Sequence, residues 1–375
     1  MYDQRLENSI SVALISFFPK MTGTTVTIEY YYRALENMGF RVKWYQLASD
    51  DEMKSYTRPQ EFIRGIRGVP QSIRLPLNIL FIMPRRIKEI KEDILLITDQ
   101  AGANLSVYHK NSITIVHDIR ELTRYNTSIL RRMFFKYVLR FLQKSSRIIA
   151  VSDYTKDLLS EKLKINDNVA VVPNCYPQND YSDMAEKRAK HGLSRNSSVN
   201  VLYVAADRPY KNIRLFLHIA ESILQRNLPV KYNFILVSKI TRGTRRILKR
   251  LKLPNLQVFH DLPELNAIYE KSDVLLFTSF IEGFGLPIIE AMSQGIPVIH
   301  ANLRPMKEIV MGGGLSVNPA HIDDWVEALI SIMEPHTYRQ KSSAAFERAK
   351  TFEFSKFEEK LKQVMEEYLK KTGIK

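Results

Sequence analysis

One cysteine in 375 residues, Cys175, leaves no partner for an internal disulfide, so the chain suits a reducing compartment. No stretch approaches the roughly eighteen consecutive apolar residues of a membrane-spanning helix. The longest candidate, Ile73 to Pro84 (IRLPLNILFIMP), is too short and is broken by prolines. The first ten residues, MYDQRLENSI, lack the charged-then-apolar order of a secretory signal. No cluster of His, Cys, Asp or Glu has metal-ligand spacing, and no G-x-G-x-x-G dinucleotide fingerprint occurs. Helix-turn-helix, finger and RNA-binding motifs are absent too. The chain is therefore expected to span no membrane, to hold no metal and to leave nucleic acid alone.

Against these absences stands an ordinary globular composition, 45% hydrophobic and 25% charged, in a length that suits two domains. The charge balance is less ordinary. A formal net charge of +15 implies an acidic partner, whether nucleic acid, anionic lipid or a phosphorylated substrate. Arg58 to Lys91 carries eight basic residues against Glu61 and Glu89, and Arg120 to Arg147 carries eight against Glu121 alone. In the second cluster Arg132, Lys136, Arg140 and Lys144 recur every four residues, with Leu130, Phe134, Val138 and Phe141 on another face. That pattern describes a basic amphipathic helix, which either packs its apolar stripe inward or docks on an anionic membrane surface.

The most informative stretch is Thr278 to Pro297, TSFIEGFGLPIIEAMSQGIP. The β-branched apolar run ahead of it, Asp273 to Phe277, reads as a buried parallel strand. Gly283 and Gly285 then flank Phe284, a spacing that lets backbone turn sharply and approach a ligand. Pro287 suits the first turn of a helix, and Gly295 with Pro297 closes that helix after about two turns. Glu282 in the loop and Glu290 one turn into the helix are expected to face one crevice. Carboxylates there accept hydrogen bonds from sugar or ribose hydroxyls, while the helix N-terminus favours a phosphate. A nucleotide sugar carries both groups.

The same strand, loop, helix order recurs along the chain. Ser11 to Ser16 reads as the first strand, and Gly23 sits where it turns toward a helix over Val26 to Met38, the place where phosphate-bearing ligands lie in open α/β sheets. Arg41 to Leu47, Asp93 to Thr98 and Ser112 to Val116 continue the strand pattern, whereas Asp50 to Lys91 has poor periodicity and is left unassigned. His117 directly follows the last of these strands, so it projects into the crevice at the sheet's carboxyl edge, able to meet a sugar hydroxyl or its leaving phosphate. Ser152 is a candidate N-cap. In the second half Val199 to Ala205 is a strand followed by ADRPYKN, where Asn212 can cap a helix and Arg208 and Lys211 stand ahead of its positive end. Two cations and a helix terminus suit a diphosphate. Lys239 to Lys252, with seven basic residues and no acidic ones, reads as a solvated helix.

EGFGLPIIEAMSQGIPVI resembles the signature of the retaining nucleotide-sugar glycosyltransferases of family 4, and the matches in SRIIAVSDYTKDLLSEKLKINDNVAVVPN and around Lys211 extend the resemblance over nearly the whole chain. It implies the α/β GT-B fold, two Rossmann-like domains with parallel sheets facing across a cleft. The expected division is an acceptor-binding domain over 1–177, a linker over 178–198, a nucleotide-sugar-binding domain over 199–352 and a helix over 353–375 crossing back to the first domain. The resemblance further implies Glu290 on ribose hydroxyls, Glu282 with the Phe284, Gly285 and Leu286 backbone on the sugar and proximal phosphate, and Lys211 on the departing diphosphate. Arg208 joins the donor site, His117 lines the sugar pocket, and Gly23 lies in a loop that closes over donor or acceptor. Two departures stand out: Cys175 replaces the glycine expected after Pro173-Asn174, and Ala205-Ala206 replaces a glycine-arginine pair, with Arg208 displaced.

The implied activity is retaining, metal-independent sugar transfer without a cofactor, from a nucleotide sugar to a glycan or lipid-linked acceptor. The expected location is the cytoplasm, at the inner membrane face where the acceptor is lipid-linked. Two other readings remain open: a nucleotide-sugar epimerase of the same fold, and a basic protein that binds nucleic acid or an anionic surface by charge.

Overall fold

In the computed structural model the described residues are 10–17, 23–48, 59, 61–66, 69, 71–123, 129–176, 181–191, 198–260 and 265–374. The loop just before Gly23, Asp261 and parts of the 178–198 stretch lie outside them. The chain divides into two compact units, Met1–Cys175 with Phe354–Lys375, and Tyr176–Glu353.

Unit 1 alternates strands and helices: β1 (Ser11–Ser16), α1 (Gly23–Asn37), β2 (Arg41–Ala48), β3 (Glu61–Arg64), α2 (Gln71–Leu77), α3 (Met83–Ile87), β4 (Ile94–Ile97), β5 (Ser112–Val116), α4 (Ile129–Val138), β6 (Arg147–Ala150), α5 (Asp153–Leu163) and β7 (Val169–Val171). All strand pairs are parallel, in the order β3-β2-β1-β4-β5-β6-β7. Parallel strands covered on both faces read as continuous apolar runs, which is why β1, β4 and β5 are buried almost throughout. Ser152 caps α5 through its Oγ, which accepts from the Thr155 N–H at 3.0 Å.

The stretch 50–91, unassignable by periodicity, holds β3 and a continuous helical run from α2 to α3. A π-helical turn, Asn78–Ile82, joins the two helices directly after Pro76 and before Pro84. Proline denies the ladder an N–H, and a widened turn absorbs the mismatch. The 3.6-residue repeat is therefore broken in the sequence although the segment is helical.

Unit 2 repeats the plan: α6 (Ser182–His191), β8 (Val199–Val204), α7 (Ile213–Gln225), β9 (Tyr232–Val237), α8 (Arg242–Leu251), β10 (Leu256–Phe259), α9 (Asn266–Glu270), β11 (Val274–Phe277), α10 (Leu286–Ser293), β12 (Val298–Ala301), α11 (Met306–Val310), β13 (Gly314–Val317), α12 (Ile322–Ile332) and α13 (Pro335–Ala349). Its six strands are parallel in the order β10-β9-β8-β11-β12-β13. The connections reverse direction between β8 and β11, and in unit 1 between β1 and β4. Open α/β sheets bind ligands outside the carboxyl ends of strands at such a switch point.

Gly295 ends α10 at φ +69, where a Cβ would come within 3.0 Å of the Ala185 backbone on α6. Only glycine meets both demands. The stretch around 182–191, polar in sequence, is thus a helix packed on unit 2. The last helix, α14 (Phe354–Thr372), belongs to unit 1. There Phe357 meets Tyr31 of α1 edge to face at 4.9 Å, and Arg147 pairs with Glu367 at 2.6 Å.

Candidate active site

In unit 2 the loops after β8 and β11 flank the switch point, and each supplies one charge. Lys211 ends a tight 3-10 turn, Pro209–Lys211, and its Nζ donates to both oxygens of Glu282, at 2.5 and 2.7 Å. Glu282 is 6% exposed and Lys211 16%, so the pair is nearly shut from water. Its position is over-determined. The Tyr203 hydroxyl of β8 donates to the Lys211 carbonyl at 2.9 Å, and Thr278 Oγ1 donates to the carbonyls of Lys211 and Asn212 at 3.1 and 3.0 Å. The Nζ also lies 5.8 Å from the Phe277 ring centroid.

Asn212 does not cap α7 with its side chain. It holds the N-cap position in the left-handed region at φ 55, and its carbonyl is occupied by Thr278. Asparagine tolerates that conformation better than most residues, so its service is to the turn. Arg208, which precedes that turn, is exposed.

The glycine loop behaves as its residue types require. Gly285 sits at φ +113 ahead of α10, with Pro287 in the first turn. A Cβ on Gly285 would lie 3.0 Å from Ile288 Cδ1. Phe284 points inward, 5% exposed and edge-on to Phe352 at 5.5 Å, which leaves the Phe284 to Leu286 backbone as the part able to meet a ligand. Glu290, on the next turn of α10, accepts from the Tyr269 hydroxyl at 2.7 Å. Burial raises the Glu290 carboxyl above its ordinary range, and the Tyr269 hydrogen bond works against that. Burial and the neighbouring carboxylate hold the Tyr269 phenol far above its own, so it keeps its proton and donates.

In unit 1, Gly23 is the first residue of α1. His117 follows β5, half-buried, with three anchors. Its Nε2 meets the Thr98 carbonyl at 2.9 Å, its backbone N–H donates to Gln100 Oε1 at 3.0 Å, and its own carbonyl accepts from Thr155 at 3.5 Å. A carbonyl only accepts, so Nε2 carries the hydrogen. Burial pushes the imidazole pKa below its ordinary value. The ring is therefore neutral at pH 7, and Nδ1 offers a lone pair. In that state Nδ1 can accept from a hydroxyl. Asp118 stabilises the following turn, its Oδ1 accepting from the Arg120 N–H at 3.1 Å.

Helix α4 departs from expectation. Val138 is buried and Phe134 and Phe141 half-buried, but Leu130 is 76% exposed. The inward face is Phe135, Val138, Leu139 and Leu142, while Ile129, Leu130, Met133 and Tyr137 face out. The inward residues keep the i, i+3, i+4, i+7 spacing of one helical face, whereas the assumed stripe, spaced mostly by four, drifts about 40° at each such step and leaves that face at Leu130.

Tyr203, Tyr269, Thr278, Thr98 and Gln100 support the site and carried no recognisable signal in the sequence. Each acts through a contact between segments apart in the sequence. Among the described residues, no group of three or more His, Cys, Asp or Glu could hold a metal ion, and no helix is long and apolar enough to cross a membrane.

Two doubly wound parallel units, one with a cation and carboxylates gathered at its switch point, define a GT-B glycosyltransferase architecture. Solved structures agree on that fold. Sucrose-phosphate synthase from Thermosynechococcus elongatus superposes with TM-score 0.76 at 17% identity, covering 96% of this chain and 98% of that one. Anabaena HepE in complex with UDP-glucose gives 0.75 at 17%, covering 96% and 100%. The sequence matches Glycosyltransferase Family 4 over residues 21–178 and Glycosyl transferases group 1 over 183–349. The chain belongs to the group 1 glycosyltransferases. It is 28% identical to the O-antigen chain mannosyltransferase RfbU of Salmonella typhimurium, the match spanning 60% of this chain and 61% of that protein. It is 26% identical to the Escherichia coli O-antigen chain mannosyltransferase B over 79% of each.

Proposed function

We propose that this glycosyltransferase moves a sugar from a nucleoside-diphosphate donor to a glycan or lipid-linked acceptor, with retention at the anomeric carbon and without a metal. The observation that carries the reading is the Lys211–Glu282 pair at the unit 2 switch point, beside the N-terminus of α10 and one turn from Glu290. Glu290 takes the ribose hydroxyls, Glu282 the sugar, and Lys211 with the backbone N–H groups at Gly285 and Leu286 takes the diphosphate. Arg208 and the Phe284 backbone complete donor contact, and Gly23 lines the equivalent loop of unit 1. Fixed positive charge stabilises the departing diphosphate in place of a cation. His117 accepts a hydrogen bond from a hydroxyl of the donor sugar through Nδ1.

In the transfer the anomeric C–O bond to phosphate breaks as the acceptor oxygen bonds to the same carbon, through an oxocarbenium-like transition state. The acceptor hydroxyl proton leaves on the released diphosphate. Both oxygens of Glu282 are occupied by the Lys211 ammonium, which makes that carboxylate a poor covalent nucleophile and favours a single-step route. Names among the relatives support this substrate class: O-antigen mannosyltransferases, a galactosyltransferase acting on a diphosphoundecaprenol-linked sugar, and HepE bound to UDP-glucose.

We also infer that unit 1 works against an anionic bilayer. Of eleven exposed large hydrophobic residues among those described, eight fall between Ile73 and Tyr137, with Ile129, Leu130, Met133 and Phe81 the most exposed. Helices α2, α3 and α4 with the π turn and 3-10 turn that continue them, residues 71–87 and 129–144, hold Arg74, Arg85, Arg86, Arg131, Arg132, Lys136, Arg140 and Lys144 and no acidic residue, although Glu89 just after α3 pairs with Arg86. Apolar side chains ringed by cations suit phospholipid. Co-sedimentation with phosphatidylglycerol vesicles, abolished in Leu130→Glu/Met133→Glu, is the expected result; equal pelleting of both proteins would remove the membrane reading.

A melting-temperature panel of UDP, GDP, ADP and their sugar conjugates tests donor binding, since a ligand of the folded state raises the midpoint. Anomeric proton couplings of the product then test retention. No shift with any nucleotide would remove the donor reading.

A further inference from the structure

The loop after β5 holds a chain of charge that the reaction as proposed does not use. Glu121 lies in a 3-10 turn, Arg120–Leu122, with its side chain 2% exposed. Its Oε1 accepts from Arg131 Nη2 at 2.9 Å and lies 3.8 Å from Arg120 Nε. Arg120 in turn donates through Nη1 to Asp118 Oδ2 at 2.6 Å. The chain thus runs Asp118, Arg120, Glu121, Arg131. It begins at the residue after His117 and ends on α4.

Such a chain is an expensive way to hold a turn together. Burying a carboxylate costs several kcal/mol, and well-packed apolar side chains of similar volume would usually stabilise the fold as well or better. Its distinctive product is geometry. Between the two ends of the segment, Ile119 sits at φ −126 and ψ 30, outside the helix and strand regions, so local preference does not set the direction in which His117 leaves its strand. On the Asp118 side the histidine carbonyl accepts a long bond from Thr155 at 3.5 Å, while the Thr98 and Gln100 bonds hold its ring and its N–H from the β4 side.

We propose that Glu121 is a positioning residue for His117, acting through Arg120 and Asp118 and anchored by Arg131 to α4. This rests on the reading of His117 as an acceptor for a sugar hydroxyl. One carboxylate bridging two guanidinium groups fixes both the turn and the helix, which an apolar residue cannot do because it has no directional bond to offer. The groups that face this centre are Asp99 from the loop after β4, Asp118, Arg120 and Arg131. Burial, followed by the Asp118 charge, raises Glu121 to about 7, and burial raises Asp99 to about 7. Three carboxylates thus share two guanidinium groups, and the bridge is at full strength only when Glu121 is ionised.

The test compares wild type, Glu121→Gln, Arg131→Gln, His117→Ala and Glu121→Gln/His117→Ala. Arg131 is half exposed on its helix, so its variant guards against simple misfolding of the Glu121 one. Release of nucleoside diphosphate is followed with whichever nucleotide sugar raises the melting temperature most. Glu121→Gln should lose about 10- to 100-fold in turnover, as small misplacements of a site group do, with unchanged nucleotide affinity, and Arg131→Gln should lose less in the same direction. The double variant should be no slower than His117→Ala alone. Losses that multiply, or a folded Glu121→Gln protein at the wild-type rate, would overturn the proposal. A His117→Ala protein at the wild-type rate would instead bring down the reading of His117 on which it rests. Independently of any substrate, the ring nitrogen NMR shifts of His117 should move or broaden in Glu121→Gln; identical spectra with identical turnover leave no positioning role.

Discussion

The Tyr269 hydroxyl donates to Glu290 Oε2 at 2.7 Å, joining a residue of α9 to one on the second turn of α10. One carboxylate oxygen is thereby spoken for, and the bond fixes the orientation of the carboxylate proposed to take the ribose hydroxyls. Tyr269→Phe removes only that bond. Nucleotide affinity should fall by about threefold to tenfold, in line with a net hydrogen bond of ~1 kcal/mol, and isothermal titration would read it. Glu290→Ala should abolish nucleotide binding while the protein stays folded. An unchanged dissociation constant in Glu290→Ala would end the ribose assignment.

Lys211 and Glu282 neutralise each other in a nearly dry setting. Lys211→Met leaves a buried carboxylate without its cation, which should cost about 3 kcal/mol of stability. Adding Glu282→Gln should restore most of that in denaturant unfolding, while sugar transfer stays lost in both proteins. Strictly additive stability losses would mean that the two side chains do not interact.

Gly285 should tolerate no side chain. At φ +113, alanine is strained whatever room surrounds it, and its Cβ would press on Ile288. Gly285→Ala should destabilise by about 1–3 kcal/mol and weaken nucleotide binding beyond what stability explains, because the strain falls on the backbone proposed to meet the phosphate. Melting and titration on one sample separate the two effects.

His300 supplies a pH signature. It lies buried in β12, with Nδ1 bonded to the Ala301 carbonyl at 2.9 Å, and burial lowers its pKa to about 4. A lowered folded pKa means the unfolded chain binds the proton more tightly. The stability this contributes is therefore complete above the unfolded value near 6.5 and is lost as pH falls toward 4. Between pH 7.5 and 4.5 the stability difference between wild type and His300→Asn should shrink by about 2–3 kcal/mol. A difference independent of pH would contradict the buried neutral imidazole.

The glycine loop was legible because its instructions are local. Gly285, Pro287 and Gly295 each state a backbone requirement within a few residues, and Glu282 and Glu290 take their places from the strand, loop and helix those residues define. The strands assigned from the sequence were legible for a related reason: burial on both faces leaves an apolar run with boundaries good to about one residue, whereas β3, β9 and β13 were not assigned. The helical run from α2 to α3 was not, because Pro76 and the π turn at Asn78–Ile82 erase the period by which a helix is recognised. Helix α4 was recognised as a helix but misread in its faces, since a stripe spaced mostly by four drifts off the face that Phe135, Val138, Leu139 and Leu142 bury.

The sequence by itself determined the architecture of alternating parallel strands, the chemistry of the loop after β11 and the presence of a cation ahead of α7, since each is carried by residues close together along the chain. Only the tertiary structure decided who holds whom. That Lys211 grips Glu282 depends on parallel crossovers bringing the loops after β8 and β11 to one sheet edge, that Tyr269 orients Glu290 depends on α9 lying beside α10, and that Glu121 ties the His117 turn to α4 depends on how the connection from β5 to β6 folds back on itself. The physical reason is that a buried charge or hydroxyl needs a partner at bonding distance, and the partner's place in the sequence is set by strand order.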